Sequence, residues 1–119
     1  MIFDDDEDIL SICAFILEED GWNVAGYPDC NDLIERVSSF APEVILMDNW
    51  IPDKGGIIAT RMIKGNLELS ATRVIYFSAN SDISSLAEAA GADRYLPKPF
   101  DLETLRSIVL DEYENRRQA

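Results

Sequence analysis

Short apolar runs alternate along the chain with longer segments in which apolar residues recur every three or four positions. The apolar runs are MIF at 1–3, WNVAGY at 22–27, EVILM at 43–47, RVIYF at 73–77 and RYLP at 94–97. The third and fourth runs show little alternation of polar and apolar residues, which is typical of strands covered on both faces. The pattern therefore predicts five strands, two of them buried on both sides.

The longer segments predict five amphipathic helices. Their expected bounds are 7–20, 30–39, 56–68, 82–90 and 101–116. Gly21 and Gly91 follow the first and fourth segments as typical helix stops, and Pro99 precedes the fifth.

Strand–helix alternation repeated five times predicts an α/β fold, namely a doubly wound, five-stranded parallel sheet with helices on both faces. For five strands the expected order is 2-1-3-4-5. Strand 5 is then an edge strand, where Pro97 is tolerated because its missing N–H costs no ladder hydrogen bond.

A length of 119 residues predicts a single domain spanning residues 1–119. Ten basic residues stand against 23 acidic ones, and the formal net charge of −13 argues against direct binding to nucleic acid or anionic lipid. Such a surface fits a cation or a basic patch on a protein partner. The chain contains no histidine, which excludes a Ser-His-Asp triad, a His-ligated zinc site and a phosphohistidine formed on this chain.

Cys13 and Cys30 do not make a disulfide framework, and we expect two small buried thiols in a reducing compartment. The most apolar stretch, residues 9–17, is too short to span a bilayer. The region before it is acidic where a signal peptide is basic. We therefore expect a soluble cytoplasmic domain.

Polar side chains follow four of the five predicted strands. Asp4 and Asp5 follow the first strand, Asp48 the third, Ser78 the fourth and Lys98 the fifth. In a doubly wound sheet, ligands bind at the carboxyl ends of the strands, beside the point where the strand order reverses. We therefore expect three carboxylates, a hydroxyl and an ammonium to converge at one edge of the sheet.

Three neighbouring carboxylates repel one another, so either some become protonated or a divalent cation binds. Oxygen ligands without histidine or cysteine favour Mg²⁺. A carboxylate can also attack phosphorus to form an aspartyl-phosphate, a reaction that needs a metal, a second cation and a hydroxyl donor. That set is supplied by Asp48 as acceptor, Asp4 and Asp5 as metal ligands, Lys98 and Ser78. Each residue alone is more often a turn, cap or surface residue, and their coincidence at strand ends is what favours chemistry.

The segments FDDDEDIL, VILMDNWIPDKGG, VIYFSAN and YLPKPF occur in this order, each at a predicted strand end. Together they resemble the response-regulator receiver domain, the CheY-like phosphoacceptor of two-component signalling, which has a flavodoxin-like fold. The resemblance covers essentially the whole chain. It implies a signalling domain rather than an enzyme, in which Asp48 takes a phosphoryl group from a partner's phosphohistidine in a Mg²⁺-dependent reaction and loses it slowly.

The resemblance also implies how the metal is held. Asp5 would ligate Mg²⁺ directly and Asp4 mainly through water. Asp48 and the backbone carbonyl of Trp50 would be further ligands. Mn²⁺ or Ca²⁺ would serve as substitutes.

A second group of residues matches the family's switch. Ser78 would shift toward the phosphoryl group and donate a hydrogen bond to it, while Lys98 would pair with a phosphoryl oxygen. Tyr95 matches the aromatic position that turns inward as Ser78 moves. The Lys98–Pro99 peptide is expected to be cis.

The implied phosphodonor is a histidine kinase or a histidine phosphotransfer protein that docks around the first helix and the loop between strand 5 and helix 5. The implied readout face comprises helix 4, strand 5 and helix 5. Phosphorylation would shift the packing of this face toward a second state, which a downstream protein recognises. We expect a monomer or a weak, phosphorylation-dependent dimer.

Trp50 and Asn80 lie two residues past Asp48 and Ser78, at positions that border the path of the hydrolytic water in the family. Our hypothesis is that the bulky Trp50 slows loss of the phosphoryl group. A tryptophan that lies on the surface without this effect is the alternative.

Several functions stay open at this point. The chain ends at ENRRQA directly after the fifth helix, which favours a stand-alone regulator over a receiver excised from a longer response regulator or hybrid histidine kinase. A phosphatase of the haloacid-dehalogenase class needs a second Asp two residues after the nucleophile, where this chain has Trp50. A receiver-like interaction module that is never phosphorylated usually lacks an acid or the lysine, and this chain keeps them all.

The acidic run at residues 4–8 divides by role. Asp4 and Asp5 are expected to end strand 1. Only three residues precede them, so either this strand is short or its start lies before the given sequence. Asp6, Glu7 and Asp8 fall at the start of the first helix, where the helix dipole and free N–H groups favour negative charge. Asp6 is the expected N-cap.

Overall fold

The computed structural model describes residues 1–52 and 54–118, without the side chains of residues 117 and 118. Its strands are β1 (Ile2–Phe3), β2 (Gly26–Tyr27), β3 (Val44–Asp48), β4 (Arg73–Ser78) and β5 (Arg94–Pro97). Its helices are α1 (Glu7–Glu19), α2 (Leu33–Phe40), α3 (Gly56–Lys64), α4 (Ile83–Ala90) and α5 (Leu102–Gln118). All strand pairs are parallel and the order is β2-β1-β3-β4-β5, which confirms the predicted fold class and strand order.

Helices cover both faces of the sheet. On one face the apolar side chains of α1 and α5 pack against alternate strand residues, among them Leu46, Ile75 and Phe77. On the other face α2 and α3 pack against the residues in between, among them Ile45 and Met47. This double burial explains why the third and fourth runs are apolar at nearly every position.

Both cysteines are buried and neither is in a disulfide, as expected, and they lie on opposite faces of the sheet. Burial is the main cause that raises the pKa of the Cys13 thiol to about 11, so it stays protonated at neutral pH. No helix in the described part of the chain is long and apolar enough to cross a membrane.

The predicted second strand is too long. Of residues 22–27 only Gly26 and Tyr27 pair with β1, because β1 itself offers only two residues for pairing. Trp22 and Val24 instead pack against the cluster between the sheet, α1 and α5. Their apolar character is therefore explained by this packing rather than by a longer strand.

Two helices, α2 and α3, are shorter than predicted by more than one residue. α2 begins at Leu33, because the Asp29 carboxylate accepts the backbone N–H two residues on and forms a local turn. α3 ends at Lys64 instead of residue 68, because Gly65 caps it and the Asn66 side chain begins a further turn. The apolar spacing continues through both regions, but local hydrogen bonds of Asp and Asn side chains decide the helix bounds.

A buried carboxylate joins α5 to two strands. Glu112 has no exposed surface, and its Oε1 lies 3.0 Å from Nε of Arg73 while its Oε2 lies 3.4 Å from Nη1 of Arg94. The Asn115 carboxamide also donates to Oε2 at 3.0 Å. Arg73 and Arg94 are the first residues of β4 and β5, so these contacts lie at the amino ends of the strands, opposite the predicted site.

Candidate functional site

The three predicted carboxylates lie together at the carboxyl edge of the sheet. Asp4 directly follows β1 and is buried, Asp48 is the last residue of β3 and is 5% exposed, and Asp5 is exposed. One carboxylate oxygen from each lies within 4.8 Å of the other two, a spacing that one cation can span. The parallel topology produces this cluster, since β1 and β3 are neighbours and end at the same edge.

Lys98 reaches into the cluster from the end of β5. Its Nζ lies 2.6 Å from Oδ2 of Asp4 and 3.1 Å from Oδ1 of Asp48. Its backbone N–H donates to the Ser78 carbonyl at 2.9 Å, and the Lys98–Pro99 peptide bond is cis. The lysine is thus held at both its backbone and its ammonium group.

The charges of the cluster do not balance. Burial, followed by the negative charge of Asp4, raises the pKa of Asp48, and Lys98 only partly offsets this. Burial alone would lower the pKa of Lys98, but the hydrogen bond to Asp4 and the charge of Asp48 outweigh it, so the net shift is upward. The site therefore favours a fixed ammonium and has surplus negative charge that would attract a cation.

The acidic run divides as predicted. Asp6 is the N-cap of α1, and its Oδ1 accepts the N–H groups of Asp8 at 2.9 Å and Ile9 at 3.4 Å. Asp4 faces the site and also accepts the Asp6 N–H at 2.9 Å. The helix start is therefore tied directly to a carboxylate of the site.

Ser78 ends β4 and is buried, with 2% of its surface exposed. Its Oγ accepts the backbone N–H of Asn80 at 3.1 Å, a bond that does not use the hydroxyl proton. The Asn80 side chain in turn accepts the N–H of Asp82 at 2.8 Å, just before α4. The hydroxyl is thus placed at the loop that leads from the site to α4.

The two aromatic residues singled out from the sequence are both on the surface. Trp50 follows Asp48 in the loop before α3 and is 73% exposed. Tyr95 lies on the edge strand β5 and is 45% exposed. Neither side chain belongs to the core.

One polar pair beside the site was not predicted from the sequence. The buried hydroxyl of Tyr76, in β4, donates a hydrogen bond to Oδ1 of Asn49, the residue after Asp48. The available signal was a tyrosine within a buried apolar run, since such a hydroxyl needs a partner. The sequence does not identify that partner, because the two residues lie 27 positions apart.

Comparison with known proteins bears on this geometry. A family model described as the response regulator receiver domain matches residues 1–110. The chain is 28% identical over 122 residues to the DNA-binding transcriptional regulator NtrC of Proteus hauseri, covering 98% of this chain and 25% of that protein. It is 27% identical over 112 residues to the CAI-1 autoinducer sensor kinase/phosphatase CqsS of Vibrio cholerae, covering 92% of this chain and 16% of that protein. The chain thus spans a quarter or less of the length of these two relatives.

A solved structure shows the same fold. The CheY-like response regulator receiver domain protein from Methanospirillum hungatei JF-1 matches with a TM-score of 0.88 and 22% identity, over 98% of this chain and 94% of that chain. The family model covers nearly the whole sequence, including every strand end described above. The chain therefore belongs to the response regulator receiver domain family, the receiver of two-component signalling.

Proposed function

We propose that this domain accepts a phosphoryl group on Asp48 from a phosphohistidine of a partner protein, in a Mg²⁺-dependent reaction. A carboxylate oxygen of Asp48 attacks phosphorus, the P–N bond breaks and the imidazole of the donor leaves with the bonding electrons. The observation that carries the proposal is the convergence of three carboxylates, Asp48 among them, and Lys98 at one sheet edge.

The donor set fits a divalent cation. All three side chains offer hard oxygen ligands, and Mg²⁺ binds such sites through one or two carboxylates while keeping several waters. Asp5 is exposed, which supports direct coordination, whereas Asp4 already binds Lys98 and the Asp6 N–H, which supports a bond through water. Asp48 and the Trp50 carbonyl complete the proposed set, for which Mn²⁺ and Ca²⁺ are substitutes. When bound, the cation would neutralise charge on the phosphoryl oxygens.

The remaining residues stabilise the product and report it. Lys98, 3.1 Å from Asp48, is near enough to pair with a phosphoryl oxygen carried on that residue. Ser78 has a hydroxyl proton available for a second oxygen, and a shift of its side chain toward that oxygen would move the acceptor that now holds the Asn80 N–H. Through the loop before α4 the proposed readout face of α4, β5 and α5 would shift, with Tyr95 as the aromatic switch.

A phosphohistidine donor must lie outside the given sequence, because these 119 residues contain no histidine. A histidine kinase or a histidine phosphotransfer protein fills that role, and the exposed side chains of Ile12 and Phe15 on α1 support docking there. A downstream protein would bind the readout face. A stand-alone regulator and a receiver within a longer regulator or hybrid kinase would share all of this chemistry.

Incubation with acetyl phosphate and Mg²⁺, followed by intact mass measurement, tests the proposal. The expected result is a gain of one phosphoryl group that is absent in Asp48→Asn and in EDTA. Asp8→Asn, which removes an exposed acid from the first turn of α1, is the matched control and should still gain the group. No gain in the unaltered protein would instead favour an interaction module that is not phosphorylated.

A further inference from the structure

A tyrosine hydroxyl lies buried against the loop that carries the proposed phosphoacceptor. The Tyr76 side chain has no exposed surface, and its hydroxyl donates to Oδ1 of Asn49. Its ring packs with Ile83 and Ala87 of α4, so the direction of the hydroxyl is fixed by packing. Because a buried hydroxyl without a partner is costly, the bond holds the Asn49 carboxamide in place relative to the sheet.

The start of α3 holds the same residue from another side. The Gly56 N–H donates to the Asn49 carbonyl at 3.1 Å. A Cβ at position 56 would clash with the Asp48 carbonyl oxygen and would lie 3.0 Å from the Tyr76 hydroxyl. The loop, the first turn of α3 and the tyrosine hydroxyl are therefore in close contact, and glycine is the residue that fits there.

The loop depends on these contacts for its shape. Two residues separate Asp48 from Ile51, which is 3% exposed and forms the next buried anchor. Of these two, Trp50 is 73% exposed, so packing of its side chain does not position its backbone. The direction of the Trp50 carbonyl is therefore set largely through Asn49, whose side chain and carbonyl are both hydrogen-bonded.

We propose that Tyr76 is a positioning residue of the phosphoacceptor site, whose hydroxyl acts through Asn49 to hold the Asp48 carboxylate and the Trp50 carbonyl in the arrangement that binds the divalent cation. The inference rests on the proposed function. Burial, and then the charge of Asp48, raise the pKa of Tyr76 to about 12, so the hydroxyl remains a donor throughout the pH range of such experiments.

Tyr76→Phe removes one oxygen atom and tests this directly. We expect the dissociation constant of Mg²⁺, measured by titration calorimetry, to rise about two- to tenfold. A change of this size corresponds to the free energy of one hydrogen bond. The rise in Tm that Mg²⁺ produces should shrink accordingly. At saturating Mg²⁺ the rate of phosphorylation by acetyl phosphate should approach that of the unaltered protein, because the variant retains every proposed ligand.

Two further variants separate positioning from general destabilisation. Tyr27→Phe removes a hydroxyl from another tyrosine of the sheet, whose ring stacks on Phe3, and it should leave the Mg²⁺ dissociation constant unchanged. Asn49→Ala should weaken Mg²⁺ binding about as much as Tyr76→Phe. The double variant should bind Mg²⁺ with about the same dissociation constant as the single variant that binds less tightly, because both changes remove the same hydrogen bond.

A Tyr76→Phe protein that is less stable in EDTA but binds Mg²⁺ with the unaltered constant would overturn the inference, as would additive effects in the double variant. If Tyr76→Phe does not fold, Asn49→Ala decides, since its partly exposed side chain can be truncated without emptying the core. The proposed function has its own outcome: it fails if the unaltered protein gains no phosphoryl group, whereas this inference alone fails if phosphorylation occurs and neither variant changes Mg²⁺ affinity.

Discussion

The Lys98 ammonium lies 2.6 Å from Oδ2 of Asp4, closer than its 3.1 Å from Oδ1 of Asp48. The side chain of Asp4 is 1% exposed, so leaving its carboxylate without this partner would be costly. Asp5 remains exposed to solvent beside the pair. Lys98 therefore compensates the most buried acid of the site, and the surplus charge falls on Asp5 and Asp48.

Lys98→Met tests this division of charge. Removing the cation leaves two buried carboxylates unpaired, and we expect the free energy of unfolding in EDTA to fall by about 3 kcal/mol. In excess Mg²⁺ the deficit should shrink, because a bound cation replaces the lost positive charge. Urea unfolding under both conditions measures this. Arg106→Met, a change of the same charge on the surface of α5, should show no dependence on Mg²⁺, and an equal deficit of Lys98→Met in both buffers would contradict the expectation.

The two halves of the acidic run should respond differently to neutralisation. Asp5→Asn removes a proposed direct ligand and should weaken Mg²⁺ binding by about tenfold or more. Asp8→Asn should leave the dissociation constant unchanged and cost about 0.3–1 kcal/mol of stability, because a charge near the helix N-terminus is lost. Calorimetric titration with Mg²⁺ and urea unfolding of both variants distinguish these effects. Similar dissociation constants for the two variants would refute the assignment.

The exposed Trp50 provides a test of phosphoryl lifetime. We expect Trp50→Asn to shorten the half-life of the phosphorylated protein several-fold, since a smaller polar side chain would admit water to Asp48 more readily. Intact mass followed over time after removal of acetyl phosphate gives the half-life. Leu67→Asn, at a residue that is 93% exposed in the loop after α3, is the control. An unchanged half-life in Trp50→Asn would show that this tryptophan does not shield the site.

Asp29 should make part of the stability depend on pH. Its carboxylate accepts the Asn31 N–H at 3.0 Å and lies 2.9 Å from Arg36, and these contacts, the backbone bond first, lower its pKa below 3.8. Because the folded-state pKa lies below that of the unfolded chain, the ionised carboxylate stabilises the fold above about pH 3.8, and this contribution is lost as the pH falls through the folded-state pKa. Asp29→Asn should therefore be less stable at neutral pH and converge with the unaltered protein in acid. Urea unfolding over this range measures the difference, and a constant difference would contradict the prediction.

The sequence was informative where function follows from topology. Asp48 and Lys98 could be placed at one edge because the carboxyl ends of parallel strands meet there, whatever the details of packing. Asp6 was predictable as an N-cap because capping depends on residues within one turn.

What the sequence could not provide depends on contacts between distant segments or on competing local turns. The Tyr76–Asn49 bond joins the interior of β4 to the loop after β3, and no periodicity encodes this choice of side-chain partner. The end of α3 depends on whether the helix stops at Gly65 or continues past it. The apolar spacing is compatible with both, so it did not distinguish them.

The burial of Glu112 has a mechanical consequence for the proposed readout face. Its contacts with Arg73 and Arg94 fasten the C-terminal half of α5 to the amino ends of β4 and β5, whereas the helix begins, at Leu102, beside the lysine end of the sheet. If α5 moved while keeping these ion pairs, it would rotate about Glu112. Its N-terminal end, which is nearest Lys98, would then be displaced most. The point about which α5 rotates would then lie at the end of the sheet opposite the proposed phosphoacceptor site.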